Sequence, residues 1–383
     1  MIWPWILLTG ITLLGLVWPY FGYPLMLKLR RKRYVIDATP EPESWPSVSV
    51  IVAAFNSAGR IGEKVRELRD LDYPGEVVII VIDDGSTDGT ADEAAQAGAD
   101  RVLTMDRRVG KSQAQNVGVN EADNEILLFT DATVTVKPDA LRHLVRELTP
   151  SDVGCVTGVD VSVAADNTDA TQGAGLYTRF EIALRDREAQ TGTLLGVNGC
   201  LFAVRADYRP PVPHQCVDDL YVPLAVVDRG LRVTVAPQAQ AIVRRAAGMG
   251  EEFRRKIRTF TGGIFTLRAA RYDLPRATRR LQWRLLQHKW LRWAGPLFVA
   301  MSFYFSLGLA LRWWPGWLIL VPQALFWSAA LAGALLVGFG VTLPKLLRIP
   351  LFFGMVQAAL LRAWFRVWAG RPFVIWEPTR REK

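Results

Sequence analysis

The sequence predicts an α/β protein in which a mostly parallel sheet is wound with helices and flanked by membrane helices. Three observations predict it. Between Pro46 and Pro150, short β-branched runs alternate with helical patterns, the signature of strands joined by crossover helices. From Ile2 to Leu27 no side chain is charged, a run longer than the ~20 residues that cross a hydrocarbon core. Near the other end, Trp293–Leu311 and Trp317–Leu343 are also uncharged, with Arg312 and a Pro315-Gly316 turn between them, the pattern of a helical hairpin in a bilayer.

The 383 residues are half apolar and include 14 tryptophans, with 46 Lys and Arg against 37 Asp and Glu for a formal charge of +9. A mean hydropathy of +0.14 weighs against an ordinary soluble enzyme. Three cysteines, Cys155, Cys200 and Cys216, cannot all pair with one another, which excludes a disulfide-stapled secreted scaffold and fits a reducing compartment.

The first apolar run is expected to be a single retained span within an anchor, residues 1–33. A cleaved signal peptide carries its positive charge before the apolar stretch, whereas here Lys28, Arg30, Arg31, Lys32 and Arg33 follow it. The positive-inside rule then holds the following chain in the cytoplasm, with the first residue outside an inner, plasma-type membrane. Residues 264–292 read as an interfacial region, because Arg276–Arg292 interleaves Leu281, Leu285, Leu286, Trp290 and Leu291 with Arg279, Arg280, Arg284, Lys289 and Arg292. Such a helix lies on anionic lipid, the alternative being a solvated basic face packed on the catalytic domain. The hairpin occupies 293–344. In 345–383 the apolar run Ile349–Leu361, bounded by Arg348 and Arg362, is shorter than a span and reads as interfacial or re-entrant before a basic cytoplasmic tail. Membrane lipids are the partners that the basic balance implies. No aromatic and basic motif of the usual RNA or DNA readers is present, so no nucleic acid partner is expected.

Within residues 46–263, the expected strands are Ser47–Ala54, Val77–Ile82, Val102–Met105 and Glu125–Thr130. The expected helices are Gly62–Leu71, Thr90–Gly98, Ser112–Glu121 and Asp139–Leu148. Ligands bind beyond the carboxyl ends of such strands, so the following loops carry the chemistry. These are Phe55-Asn56-Ser57, Asp83 to Thr90, Asp106 to Lys111, and Asp131-Ala132-Thr133. Gly110-Lys111-Ser112 resembles the tail of an NTPase phosphate loop, but the glycine required five positions earlier is Met105. A dinucleotide fingerprint is excluded because Ala53-Ala54-Phe55-Asn56 follows the first strand without a glycine triplet. The loops are rich in aspartate, and carboxylates facing a phosphate substrate need a bridging hard cation such as Mg²⁺ or Mn²⁺. The three histidines, His143, His214 and His288, are dispersed and have no zinc-type spacing.

Six segments carry a more specific resemblance. They are Ala53-Ala54-Phe55-Asn56, DDGSTDGT from Asp83 to Thr90, Gly110-Lys111 with Asn116, Thr130-Asp131-Ala132, Asn198 to Arg205, and Asp218-Asp219-Leu220. Their order resembles that of family 2 glycosyltransferases, in particular the membrane-bound group that includes cellulose and poly-N-acetylglucosamine synthases and exopolysaccharide transferases. The resemblance covers about Ser47 to Gly263. It implies a GT-A fold and assigns Ala54, Asn56, Asp83, Asp84, Lys111 and Asn116 to donor binding, with Asp84 near the base and Lys111 near the phosphates. Ser86 and Asp88 also suit a turn that caps the next helix.

The resemblance further places Asp131 first in the family's metal-binding Asp-x-Asp, with Thr133 in its third position, and makes Mg²⁺ or Mn²⁺ the expected cofactor. A threonine hydroxyl is a weaker, neutral ligand. Asp219 matches the catalytic base, preceded by Asp218. A base is needed because an acceptor hydroxyl loses its proton as it attacks the anomeric carbon, and single displacement of this kind inverts the configuration. Arg258 aligns with the arginine of the Gln-x-x-Arg-Trp motif of polymerising relatives, where Arg255 replaces the glutamine and Thr259 the tryptophan. Arg254, Arg255 and Arg258 sit three to four residues apart on a helix, so two guanidiniums can address a diphosphate together.

The function this implies is transfer of one hexosyl unit from a nucleotide-sugar donor to a membrane-associated acceptor, such as a polyprenyl-linked glycan or a polysaccharide. A processive synthase keeps the chemistry but requires oligomers or polysaccharide-assembly partners to build a conduit from few spans. A degenerate scaffold without turnover is a third alternative, supported only by Thr133 and Thr259.

Overall fold

The structure, a computed structural model, describes residues 2–36, 39–163, 169–244, 248–274, 279–341 and 343–373. Two helices come first, α1 (Trp3–Val17) and α2 (Gly22–Leu29), followed by β1 (Val48–Ala54), α3 (Ile61–Arg69), β2 (Val77–Asp83), α4 (Thr90–Gln96), β3 (Arg101–Thr104), α5 (Lys111–Asn120) and β4 (Ile126–Thr130). Next are β5 (Thr135–Val136), α6 (Ala140–Leu148), β6 (Val153–Val163), α7 (Asp169–Thr191), β7 (Leu201–Arg205), α8 (Asp218–Asp228), β8 (Arg232–Arg244) and α9 (Met249–Asp273). The last group is α10 (Arg279–Leu285), a π turn at Leu286–Trp290, α11 (Leu291–Trp293), α12 (Gly295–Ala310), α13 (Trp317–Gly338) and α14 (Lys345–Trp368). Every strand and helix expected between Ser47 and Leu148 forms within two residues of its expected ends.

Among the described residues, eight strands join one sheet in the order β3-β2-β1-β4-β7-β6-β8-β5. The β1, β2, β3 and β4 ladders are parallel, whereas β7 runs antiparallel to both β4 and β6. The expectation of a mostly parallel sheet therefore holds for the first half, and the second half makes it mixed. Helices cover both faces, so nearly all of β1 is buried, as in parallel sheets generally. Val48, Val50 and Val52 pack with Val65, Leu68, Leu141 and Leu144 of α3 and α6. Ile51 turns to the opposite layer with Ala114, Phe129 and Phe202, and the last two rings stack at 4.8 Å.

The apolar ends depart from the expectation in four places. First, the run from Ile2 to Leu27, expected as a span, is bent: α1 and α2 meet at 67° and together are apolar and long enough for one broken span or a re-entrant loop. Pro19 lies at the break and removes a helical N–H donor. The 15 residues of α1 extend only ~22 Å, less than a ~30 Å hydrocarbon core. The bend is tied to the domain by Trp18 Nε1 donating to Gln287 Oε1 at 3.1 Å and Tyr23 Oη donating to Glu188 at 2.6 Å. Helix α1 packs antiparallel on α12, with Trp5 against Gly308 and Gly15 against Phe298.

Second, the segment around Ile349–Leu361 is no short interfacial piece but part of α14, 24 residues long. Its charges do not interrupt it, because Arg348 donates to the Leu343 carbonyl and Arg366 lies over the Phe373 ring. Two helical segments, Trp314–Gly338 and Leu346–Trp368, are long and apolar enough to cross a membrane. They differ in surroundings: 11% of the first is buried inside the protein against 39% of the second. The buried stripe of α14, Val356, Ala359, Leu360, Ala363 and Val367, packs on Ile257, Phe260, Ile264 and Leu267 of α9.

Third, of the basic face expected between Arg279 and Arg292, Arg279 is exposed but the later cations turn inward. Arg284, His288 and Arg292 are buried, and α7 with the two residues after it supplies their partners: Arg284 donates to the Thr191 carbonyl at 3.2 Å and the Thr193 carbonyl at 2.8 Å, His288 Nδ1 meets Glu188 at 2.9 Å, and Arg292 pairs with Glu181. The apolar Trp283 and Leu286 face outward instead. Fourth, the boundary expected at Gly263 falls inside α9, which continues unbroken to Asp273.

Candidate active site

The carboxyl ends of β1, β2 and β4 bring the predicted loops to one edge of the sheet, where they form two neighbouring groups. The first is knitted by hydrogen bonds. The Asp84 N–H donates to the Ala54 carbonyl at 2.8 Å. Asn56 adopts a positive φ of 44°, a conformation asparagine tolerates better than most residues. Its N–H donates to Ser86 Oγ at 2.9 Å and its Oδ1 accepts the Thr87 N–H at 3.0 Å. Ser86 is thereby committed to Asn56 and does not cap α4. Asp88 instead accepts the Thr90 N–H at 3.2 Å.

Asp83 accepts the Ser86 N–H at 3.0 Å. Both oxygens of Asp84 are engaged, by the N–H groups of Val109 at 2.6 Å and Gly110 at 2.9 Å. Burial raises the Asp84 pKa, and these two donors work against it. The loops touch closely: a Cβ on Gly85, which has φ +74°, would lie 2.8 Å from the Arg108 nitrogen, and the Arg108 guanidinium lies 3.7 Å from the Phe55 ring centre. Asp84 thus holds the 105–110 loop in place.

The second group lines a cleft of about 470 Å³ that contains Lys111, Asp131, Asp218, Asp219, Arg255 and Arg258. Lys111 opens α5 and its ammonium joins three elements. It lies 2.8 Å from Asp131 and 3.6 Å from Asp218, and donates to the Gly199 carbonyl at 3.0 Å. Burial alone would lower its pKa, but Asp131 and Asp218 outweigh burial and the net shift is upward. The other Asp131 oxygen accepts from the Cys200 thiol at 3.4 Å.

Asp219 sits in the first turn of α8, with its carbonyl accepting the Val197 N–H at 2.8 Å. Gly199 leaves room for it: a Cβ there would be 3.3 Å from Asp219 Oδ2. The Asp219 carboxylate has no hydrogen bond among the described residues. Burial first, and the neighbouring Asp218 second, push its pKa up to about 6. A carboxylate tuned upward toward neutrality suits a general base.

The remaining expected residues divide. Arg255 and Arg258 of α9 line the cleft together with Thr259, and Arg255 is already held by Glu252 through two 2.7 Å bonds. Arg254 pairs with Glu251 outside the lining and takes no part. Asn116 is also outside it: its amide donates to the Val212 carbonyl at 2.9 Å and accepts the Val212 N–H at 3.0 Å, fastening the segment after β7.

Among the described residues, no group of three or more His, Cys, Asp or Glu could hold a metal ion. Asp131 is the one carboxylate at the metal position, with Thr133 in the same loop. This donor set fits a hard cation that arrives with a diphosphate, since Mg²⁺ is commonly held by one or two carboxylates plus substrate phosphates. It does not fit a cage preformed by the protein. Sequence reasoning missed the far wall of the cleft, made by Glu181, Arg185 and Glu188 with His288, Lys289 and Arg292. Its available signal was the spacing of 181, 185 and 188 on one face of α7.

Residues 49–207 match the model of the glycosyl transferase family 2 domain. An N-acetylglucosaminyltransferase of Mesorhizobium japonicum is 24% identical over 241 residues, covering 57% of this chain and 56% of that protein. One of Bradyrhizobium elkanii is 30% identical over 132 residues, covering 33% of this chain and 71% of that protein. The chain thus spans little more than half the length of the first of these relatives. A mannosyltransferase from Pyrobaculum calidifontis, solved in complex with GDP-Man and Mn²⁺, superposes with a TM-score of 0.68 at 23% identity, covering 94% of this chain and 99% of that one. The mixed sheet is a GT-A fold, and the chain belongs to glycosyl transferase family 2.

Proposed function

We propose that the protein transfers a sugar from a nucleotide-diphosphate donor to the hydroxyl of a membrane-associated, lipid-linked acceptor, with inversion. The observation that carries this reading is Asp219, a carboxylate free of hydrogen bonds among the described residues, raised in pKa and facing the same cleft as the Asp131 and Lys111 pair. In the proposed reaction the Asp219 carboxylate takes the acceptor O–H proton as that oxygen forms its bond to the anomeric carbon. The bond from that carbon to the diphosphate breaks on the opposite face, which inverts the configuration. Lys111 carries positive charge beside the departing diphosphate, and Arg258 with Arg255 lines the approach. A divalent ion held by Asp131, with Thr133 in support, would offset the charge developing on the leaving group.

The relatives named above act with different sugars, so the donor is to be found by screening. The bent α1 and α2 pair and helices α12 to α14 support a membrane setting, and the basic segment after α2 supports a cytoplasmic face for the cleft. The test is release of nucleoside diphosphate from a panel of nucleotide sugars, with and without Mn²⁺, by detergent-solubilised protein beside an Asp219→Asn variant. The expected result is a rate loss of about 10²- to 10⁴-fold with donor affinity kept. Undiminished turnover in the variant removes Asp219 from its role.

A further inference from the structure

Lys64 lies in the middle of α3 and is only 3% exposed. It does not line the cleft, and it belongs to none of the six segments that carry the family resemblance. An ammonium is costly to bury unless its N–H groups are taken up. Here Nζ donates to Glu67 Oε1 at 2.8 Å, one turn further along α3, and to the Val134 carbonyl at 2.7 Å. The same Glu67 oxygen accepts the Val136 N–H at 2.6 Å. Two side chains of one helix therefore grip the backbone of residues 134–136 at both ends.

Those residues continue directly from the position proposed for the divalent ion. Asp131 follows the last residue of β4, Thr133 is two further on, and β5 begins at Thr135. No ladder joins β4 to β5, because β5 sits at the sheet edge on β8, with β7, β6 and β8 between the two. The stretch 131–134 thus leaves the strand that fixes Asp131 and runs to an edge strand of two residues. Within it the Val134 N–H donates back to the Asp131 carbonyl at 3.3 Å. Val134 is therefore held from both sides, by Asp131 through its N–H and by Lys64 through its carbonyl. Val134 and Val136 also share a core with Val65 and Leu68 of α3. Apolar packing is non-directional, whereas an ammonium on one named carbonyl sets which residue sits where. The Lys64 charge also attracts the Asp131 carboxylate.

We propose that Lys64, paired with Glu67, is a positioning residue for the divalent ion: it holds the turn after β4 so that Asp131 and Thr133 present their oxygens to a cation arriving with the donor diphosphate. The assignment rests on the transfer reading above, which puts that ion at Asp131. A site with one carboxylate and one hydroxyl has few strong ligands, so it depends on their being placed beforehand by the groups behind them.

The experiment compares the full-length protein in detergent with a Lys64→Met variant by two measurements that involve no turnover. The first is hydrogen exchange of the backbone amides without nucleotide or metal. Exchange across 131–136 should rise at least about tenfold, the equivalent of one charge-assisted hydrogen bond, while β1, β2 and β4 keep their protection. The second is calorimetric titration with UDP and with GDP, each with and without Mn²⁺. The tightening that Mn²⁺ brings should fall at least about tenfold, as when a group that orients a metal ligand is removed, and the metal-free affinity should not change. If Lys64→Met does not fold, the Lys64→Met, Glu67→Gln double variant is read in its place, since it strands no charge and keeps an oxygen for the Val136 N–H.

Unchanged exchange across 131–136 overturns the proposal. A loosened turn with the Mn²⁺ effect intact overturns it too, as does exchange that rises equally through the sheet together with lost metal-free affinity, since each leaves Lys64 a packing role alone. All three results leave the transfer reading standing. Asp131→Asn, in which Lys64 and Glu67 are untouched, tests that reading separately: a Mn²⁺ effect kept in this variant removes the ion from Asp131 and takes the proposal with it.

Discussion

Asp84 is buried and Asp219 half-buried, and both have a raised pKa, yet their surroundings differ. Asp84 accepts two backbone N–H groups and anchors the loop that they belong to. Asp219 packs closely on Gly199 at the cleft and has its oxygens unengaged among the described residues. A satisfied carboxylate holds architecture, while an unengaged one keeps its lone pairs for a substrate proton. Lys111 stands between these extremes, since its ammonium both ties α5 to β4 and α8 and stays in the cleft.

The contrast can be broken by substitution, and the largest expected effect after loss of Asp219 is at Lys111. Lys111→Met leaves Asp131 and Asp218 facing each other without a cation. Breaking such a partly buried pair is expected to cost about 3–5 kcal/mol, read as a lowered denaturant midpoint together with lost turnover. Adding Asp131→Asn to that variant should return part of the stability without returning activity. If Lys111→Met melts like the unmutated protein, the ammonium is not the tie described.

A smaller effect is expected at Asp84. Asp84→Asn presents an amide N–H to a backbone N–H that needs an acceptor, a mismatch of about 1–3 kcal/mol. Loosening of the 105–110 loop should raise the donor KM more than it lowers kcat. An equal fall in kcat alone would instead place Asp84 with the reacting groups.

The smallest effect is a shift in pH dependence. As the proposed base Asp219 would act only when deprotonated, so kcat/KM should fall as pH drops through about 6, the value to which burial and Asp218 push it. Asp218→Asn removes the like charge, so the acid limb should move to lower pH. Burial, the larger cause, remains, so the limb should stay above the ordinary aspartate range. A limb that does not move would show that Asp218 does not act on Asp219.

The sequence alone determined the first half of the sheet and the loops at its edge. Strand and helix periodicity is local, and the alternating segments from Ser47 to Leu148 state it without ambiguity. The resemblance in motif order likewise singled out Asp131, Lys111 and Asp219, and the fold brings all three to one cleft. What it could not reveal was direction and partnership. The charged segment Arg279–Arg292 reads as a surface helix, but it turns its later cations inward because α7, about a hundred residues away in the chain, supplies Glu181 and Glu188. Asn116 lies in a donor motif by order yet serves Val212. The helix through Ile349–Leu361 continues past flanking arginines because α9 and α13 pack along it. These outcomes were decided by tertiary structure, since a charge or an amide is satisfied by whatever the fold brings within hydrogen-bond reach, and that distance is not written in sequence separation.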